Sequence, residues 1–154
     1  MARDKYLEVR AIENGTVIDH IPVDALFKIV NIMSLDRDRH RMTIGMNLES
    51  ERIGSKAIIK ITDRYLIKEE IESIALVAPN ARVNIIKGFK VAEKLRVSLP
   101  KKIKGIVKCA NPYCITNNES VRTSFDVIDE GGEIALKCRY CEKTTLHNEI
   151  ELFM

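Results

Sequence analysis

The chain has 154 residues, 45% apolar and 31% charged, with 25 Lys+Arg against 22 Asp+Glu and a net charge of +3. That length suits one domain or two small ones, the charge is too small to demand a nucleic-acid partner, and no apolar run approaches the ~20 residues of a membrane-spanning helix. Trp is absent and aromatics make up only 5%, so the core must be built from Ile, Val and Leu.

Leu7, Val9 and Ala11 alternate with polar residues and predict a first strand. Asn14-Gly15 predicts a tight turn, and residues 16–21 continue extended. Pro22 suits the first turn of a helix, and Leu26, Phe27, Ile29, Val30 and Met33 recur at helical spacing as far as Leu35. Residues 36–41 are a charged run and read as a solvated loop. Met42, Ile44, Met46 and Leu48 alternate with polar neighbours and predict a half-buried strand, followed by a β-rich run over 56–62. Residues 68–78 predict a helix with Ile71, Ile74, Ala75 and Ala78 on one side, stopped by Pro79-Asn80. Two further strands, 82–86 and 90–97, flank the turn Lys87-Gly88. If the first two extended runs form one bent strand, the order is the split βαββαβ pattern.

Ser98-Leu99-Pro100-Lys101-Lys102 breaks the pattern and reads as a linker, giving domains 1–98 and 99–154. Short strands follow at 103–108, 124–128, 133–137 and 146–152, with loops at Asn117-Asn118 and Gly131-Gly132. Residues 1–100 carry 17 Lys+Arg and 14 Asp+Glu, whereas 101–154 carry 8 of each. The second segment is therefore not a basic module, which counts against nucleic-acid binding there.

All four cysteines lie in that second segment: Cys109, Cys114, Cys138 and Cys141, spaced C-x4-C and C-x2-C. Each short pair can supply two adjacent corners of a tetrahedron, so a structural Zn²⁺ is the leading reading, ahead of two disulfides or free thiols. Met1-Ala2-Arg3-Asp4-Lys5 lacks the features of a secretory signal. The cytoplasm is then the expected compartment, and disulfides are rare there. Four thiolates on one Zn²⁺ leave a formal charge of about −2, which Lys108, Lys137, Arg139 and Lys143 could offset; they are equally well ordinary surface residues. A filled sulfur shell leaves no open position for catalysis. His147-Asn148-Glu149 repeats the H-x-E of zinc deaminases but follows both cysteine pairs instead of preceding them, so His147 reads as a surface strand residue.

No phosphate-binding glycine loop, dinucleotide fingerprint or nucleophile elbow occurs. Asp19-His20 could act as an acid/base pair, but a single dipeptide is weak grounds for it. Lys60, Asn84 and Lys94 fall on three predicted strands and have the chemistry to hold phosphate. Lysines on strands are commonly solvent-facing, and nothing in the spacing brings the three together.

Four stretches, 15–22, 43–48, 76–84 and 134–142, resemble the regulatory chain of aspartate carbamoyltransferase. They read GTVIDHIP, TIGMNL, LVAPNARVN and IALKCRYCE. The resemblance runs nearly end to end and includes the cysteine spacing. It implies an α+β chain, with a ferredoxin-like allosteric domain followed by a small all-β zinc-binding (rubredoxin-like) domain. It implies a non-catalytic regulatory subunit of pyrimidine biosynthesis, cytoplasmic, that pairs with itself through the first domain and holds the catalytic chain through the second. ATP and CTP, with UTP as a further candidate, would bind the first domain. Residue by residue, Val9, Ala11 and Ile12 would line the base pocket and Asp19 would accept from a ribose hydroxyl. His20, Asn84 and Lys94 would contact phosphates, Lys60 would lie near base and ribose, and Ile86 and Val91 would supply apolar walls. Arg10 and Phe89 stand where the family pattern has an acidic residue and Tyr. The competing readings are a nucleic-acid-binding zinc ribbon and a small metalloenzyme.

Overall fold

Ile and Val at alternate positions build the first unit. β1 (Gly15–Ile21), β2 (Met42–Ser50), β3 (Gly54–Thr62), β4 (Arg82–Lys87) and β5 (Lys90–Arg96) form one antiparallel sheet in the order β2-β3-β1-β4-β5. α1 (Leu26–Ile32) joins β1 to β2, and α2 (Lys68–Val77) joins β3 to β4. The first four strands and both helices make the split βαββαβ arrangement, and a hairpin adds β5. The computed structural model describes residues 9–131 and 133–153. The chain divides into two compact units, Met1–Ser98 and Leu99–Met154.

The two faces of the sheet differ, as strand alternation requires. One carries Ile18, Ile59, Ile61 and Val83, all fully buried together with Leu26, Ile29, Ile74 and Leu76 of the helices. The other carries a smaller apolar cluster, Val17, Ile58 and Ile86, with Val9, Ile12 and Leu48 packed against it. Gly15 is fixed where β1 begins: its φ is +139°, and a Cβ there would meet the Ile61 carbonyl oxygen at 2.0 Å. No side chain is compatible with that approach.

Several sequence expectations need correction. The predicted first strand is not formed: Val9 to Ile12 pair with no strand, and Leu7 lies outside the described residues. α1 stops at Ile32, because Ser34 enters the left-handed region at φ +51° before a 3-10 turn at Leu35–Arg37. The alternation from Met42 to Leu48 does not stay on one face. A bulge between Gly45 and Leu48, with Asn47 at φ +60°, shifts the register. Leu48 therefore packs against the smaller cluster, while Ile44 and Met46 stay 43% and 40% exposed on the edge strand.

In the second unit, β6 (Lys102–Lys104), β8 (Ser124–Glu130), β9 (Glu133–Cys138) and β10 (Thr144–Leu146) form a sheet in the order β10-β9-β8-β6; β7 (Val107–Lys108) pairs with β11 (Glu151–Leu152). The strand expected over 103–108 is broken at Gly105, whose φ is +71° and whose N–H donates to the Thr123 carbonyl. The strand expected over 146–152 is interrupted by a 3-10 turn, His147–Glu149. His147 is accordingly no strand residue, and its Nε2 is buried without a partner among the described residues. A one-turn helix, α3 (Ile115–Asn118), is the element the sequence did not signal. Its four residues are too few to show periodicity. It is tied down by amide side chains: Asn117 donates to the Cys109 and Asn111 carbonyls, and Asn118 to those of Pro112 and Cys114. The core of this unit includes Phe125, Leu136, Ile103, Val107 and Ile150.

The charged run at 36–41 is not uniformly solvated. Asp38 is 7% exposed, and its carboxylate accepts from the His40 backbone N–H at 2.8 Å and from Arg64. Arg64 also binds Glu70, whose other oxygen accepts the Ile67 N–H at 3.1 Å and so caps α2, where Ile67 has no side-chain acceptor to offer. The backbone N–H of His40, then the His40 ring and Arg64, outweigh burial and hold Asp38 down to about 2 from an ordinary 3.8. A depressed carboxylate contributes stability that is complete above its unfolded pKa and lost as pH falls through the folded one. We therefore expect a loss of first-unit stability between about pH 4 and pH 2 that is missing in Asp38→Asn. Asp38→Ala should cost about 2 kcal/mol at neutral pH, measured by denaturant unfolding.

Candidate functional site

β7 delivers Cys109, α3 begins right after Cys114, β9 ends on Cys138, and Cys141 follows in the next turn. Their four sulfurs lie within 4.8 Å of one another, and Cys109, Cys114 and Cys138 are buried. Cys109 Sγ is 3.6 Å from Cys141 Sγ, and Cys114 Sγ is 3.7 Å from Cys138 Sγ. A tetrahedral Zn²⁺ with bonds of ~2.3 Å requires sulfurs ~3.8 Å apart, so the donor set fits that ion. The separations far exceed the ~2.05 Å of a disulfide, and all four cysteines are free. Thr116 Oγ1 donates to Cys114 Sγ at 3.2 Å and the Tyr140 N–H to Cys138 Sγ at 3.4 Å, the hydrogen bonds that steady thiolate ligands.

The cluster is electrostatically unstable by itself. Burial pushes the Cys109 thiol up to about 12, and neighbouring sulfurs add to the effect. Burial likewise raises Cys138. At Cys141 burial works the same way, but the Lys143 N–H and the Asn111 side chain outweigh it and bring the thiol to about 7. Four close thiolates need a central cation, and a divalent ion supplies it. Of the flanking cations, Arg139 faces Asp126 at 3.7 Å.

In the first unit, the sheet face opposite the helices gathers the other candidate residues. Thr43 pairs with Lys60, Lys60 with Val17, Val17 with Asn84, and Asn84 with Lys94. Directly paired residues point to the same face, so Lys60, Asn84 and Lys94 share one row across the sheet, spanning roughly 14 Å. Asp19 lies two residues along β1 from Val17, and Ile86 two along β4 from Asn84, where it pairs with Val91. Val9 and Ile12 pack against the apolar cluster on this face, while Ala11 between them is exposed. Gly45 leaves room for that packing, since a Cβ there would come within 3.1 Å of both Val9 and Leu48.

Lys60 Nζ donates to the carbonyls of Val9 at 3.2 Å and Arg10 at 2.8 Å. Burial, with the nearby Lys56 charge, lowers its pKa despite Asp19. Asp19 is held by Lys56 at 2.9 Å and accepts the His20 N–H at 2.7 Å. His20 sits in the β1 bulge at φ +57°, with Nδ1 buried, 3.8 Å from Asp19 Oδ2 and without a hydrogen-bond partner among the described residues. Burial first, then the charges of Lys56, Arg82 and Arg52, lower its pKa, so the ring is neutral at pH 7. Lys56, four residues from Lys60 on the same face of β3, is not among the residues singled out from the sequence, although that spacing along a strand would have pointed to it. At the β4–β5 tip, Phe89 has φ +65° and is 64% exposed; its N–H donates to the Glu13 carbonyl and the Gly88 N–H to Asn14 Oδ1.

Comparison with known proteins covers both units. The family described as aspartate carbamoyltransferase regulatory chain, allosteric domain, matches residues 7–98, and the metal binding domain of the same regulatory chain matches residues 101–151. A regulatory chain from Phocaeicola vulgatus is 51% identical over 95% of this chain and 94% of its own length. One from Bacteroides fragilis is 48% identical over 95% of each, and one from Serratia marcescens 45% identical over 97% of each. Among the described residues no helix is long and apolar enough to cross a membrane.

The metal cluster makes two predictions. Cys138→Ser should abolish stoichiometric Zn²⁺ binding and unfold the second unit, with the amide spectrum of the first unit unchanged. Thr116→Val should keep the fold but weaken Zn²⁺ by about tenfold in chelator competition.

Proposed function

The chain belongs to the aspartate carbamoyltransferase regulatory-chain family, and from that premise we propose that it senses nucleoside triphosphates with its first unit and docks a catalytic chain with its second. As a regulatory chain it serves pyrimidine biosynthesis without catalysing a step itself. The observation that carries the nucleotide reading is the row Lys60–Val17–Asn84–Lys94, beside an apolar cluster on the sheet face opposite the helices. It combines cations and an amide for phosphate with an apolar floor for a base.

On this reading Val9, Ala11, Ile12, Ile86 and Val91 line the base. Asp19 accepts from the ribose, Lys60 lies beside base and ribose, and His20, Asn84 and Lys94 meet the phosphates. A neutral His20 would donate one ring N–H without adding a charge. Phe89 in place of Tyr removes a phenol hydroxyl near the base, and Arg10 adds a cation, so nucleotide choice is tuned at these two positions. ATP and CTP compete for one pocket and act through different affinities for two quaternary states, at about 1–3 kcal/mol of coupling.

The four-sulfur cluster is read as a Zn²⁺ site. Next to it Tyr113, Ile115 and Tyr140 are 90%, 44% and 50% exposed, the kind of aromatic and apolar surface that forms protein interfaces. This knuckle surface is the proposed dock for the catalytic chain. Self-association is assigned to the first unit and the location to the cytoplasm, where free cysteines persist. The balanced charge of the second segment and its four-sulfur shell leave the nucleic-acid and metalloenzyme readings without support.

Titration of the full chain with ATP and CTP should saturate at one site per chain. Lys60→Ala and Lys94→Ala should each weaken binding by about tenfold while leaving Zn²⁺ content unchanged. Absence of binding for both nucleotides in the wild type would refute the sensing role. Failure of the zinc-loaded chain to bind an aspartate carbamoyltransferase catalytic chain would refute the docking role.

A further inference from the structure

Asn14 is not one of the candidate site residues, yet it ties together two segments that are. β4 and β5 are joined by a two-residue turn, Gly88-Phe89, with Lys87 paired to Lys90 across it. Both turn residues are left-handed, at φ +58° and +65°. Such turns match the twist of a hairpin and ask for positive φ at both central positions. Gly88 meets that demand freely, whereas Phe89 carries a Cβ and a ring into a region that bulky residues avoid. Its side chain is 64% exposed, so burial of the ring does not hold it there.

The hold comes from the strip that precedes β1. The two central N–H groups of such a turn have no partner inside the hairpin. Here the Phe89 N–H donates to the Glu13 carbonyl at 2.9 Å and the Gly88 N–H to Asn14 Oδ1 at 3.1 Å. The first bond uses a backbone oxygen that any residue at position 13 would offer. The second depends on a side chain, so it is the part of this latch that sequence can change. The Asn14 backbone is pinned: its carbonyl accepts the Asp63 N–H at 3.0 Å, and Gly15, which follows, is fixed against the Ile61 carbonyl. The side-chain amide therefore projects from a fixed point. At the other end of the strip, Lys60 Nζ donates to the Val9 and Arg10 carbonyls. Val9 and Ile12 rest on the apolar floor of Val17, Ile58 and Ile86. Residues 9–14 are thus tied to β3 at one end and to the β4–β5 tip at the other.

We propose that Asn14 is a positioning residue for nucleotide choice: by tying the tip to the strip it sets the distance between Phe89 and residues 9–12, and with it the width of the slot that receives a base. This rests on the nucleotide reading above and adds to it a residue that acts through its neighbours, not through the ligand. A slot held narrow suits the smaller, pyrimidine base. Once the slot can open, contacts to the smaller ring are lost first, because dispersion falls steeply with a gap that a purine still spans.

The test uses the full zinc-loaded chain, calorimetric titration with ATP and CTP, and amide hydrogen exchange read at Gly88 and Phe89. The variants are Asn14→Ala, which removes the acceptor, and Asn14→Asp, which keeps it. Asn14→Ala should speed exchange at both turn amides and weaken CTP by about fivefold more than ATP, the worth of one hydrogen bond. Asn14→Asp should restore the slow exchange and the wild-type ratio of ATP to CTP affinity. Both ligands carry the same triphosphate, so the added charge cancels from that ratio, and a role in stability alone would not move it. The proposal is overturned if exchange in Asn14→Ala matches the wild type. It is equally overturned if exchange speeds up while the ratio stays at the wild-type value or shifts toward CTP. If neither nucleotide binds the wild type, the nucleotide reading itself falls and takes this proposal with it, an outcome distinct from binding with an unmoved ratio.

Discussion

The second unit is organised around four sulfurs gathered within 4.8 Å of one another, two of which burial holds in the thiol form. Its apolar core is thin, with Phe125 as the one fully buried aromatic side chain among the described residues. Segments of this size rarely hold together by burial alone. The sulfurs come from both ends of the unit and from two different turns, so one ion closes several loops at once. Thr116 and the Tyr140 N–H then fix the direction in which two of those sulfurs point. A Zn²⁺ bound here would impose no shape of its own, and the backbone around the knuckles would supply it.

The first unit solves a different problem. A sheet covered by helices on one side leaves the other side to be justified by something else. Here that side is neither wholly polar nor wholly greasy. Val17, Ile58 and Ile86 provide the floor, Val9, Ile12 and Leu48 crowd onto it, and charged side chains ring it. Strand register does the positioning: residues far apart in the chain come into line because antiparallel pairing aligns them. A slip of one residue in β3 or β4 would send the Lys60 or Asn84 side chain to the helix side.

Much of this was legible from residue patterns, for identifiable reasons. Strands 56–62 and 82–86 carry long β-branched runs, and α2 carries a clean apolar stripe ended by Pro79, so local preference and tertiary packing agree. The cysteine spacing pointed to a metal because two short pairs have few other uses. What escaped was set by single backbone conformations. Asn47 and Ser34 turn left-handed and break patterns that looked continuous, and Gly105 splits a run of β-formers. Residues 9–12 have strand-like alternation but find no partner strand, so they cross the apolar floor instead. The alignment of Lys60, Asn84 and Lys94 in one row was not fixed by the residue pattern, because it depends on register, which composition does not encode. The burial of Asp38 was hidden inside a charged run that looked uniformly wet.

Lys60 gives its ammonium protons to the Val9 and Arg10 carbonyls, and so holds down the strip of chain that edges the open face. Any anion that draws this ammonium toward itself must loosen those two bonds. Occupancy of the face and the anchorage of that strip are therefore rivals for one side chain, and each responds whenever the other changes.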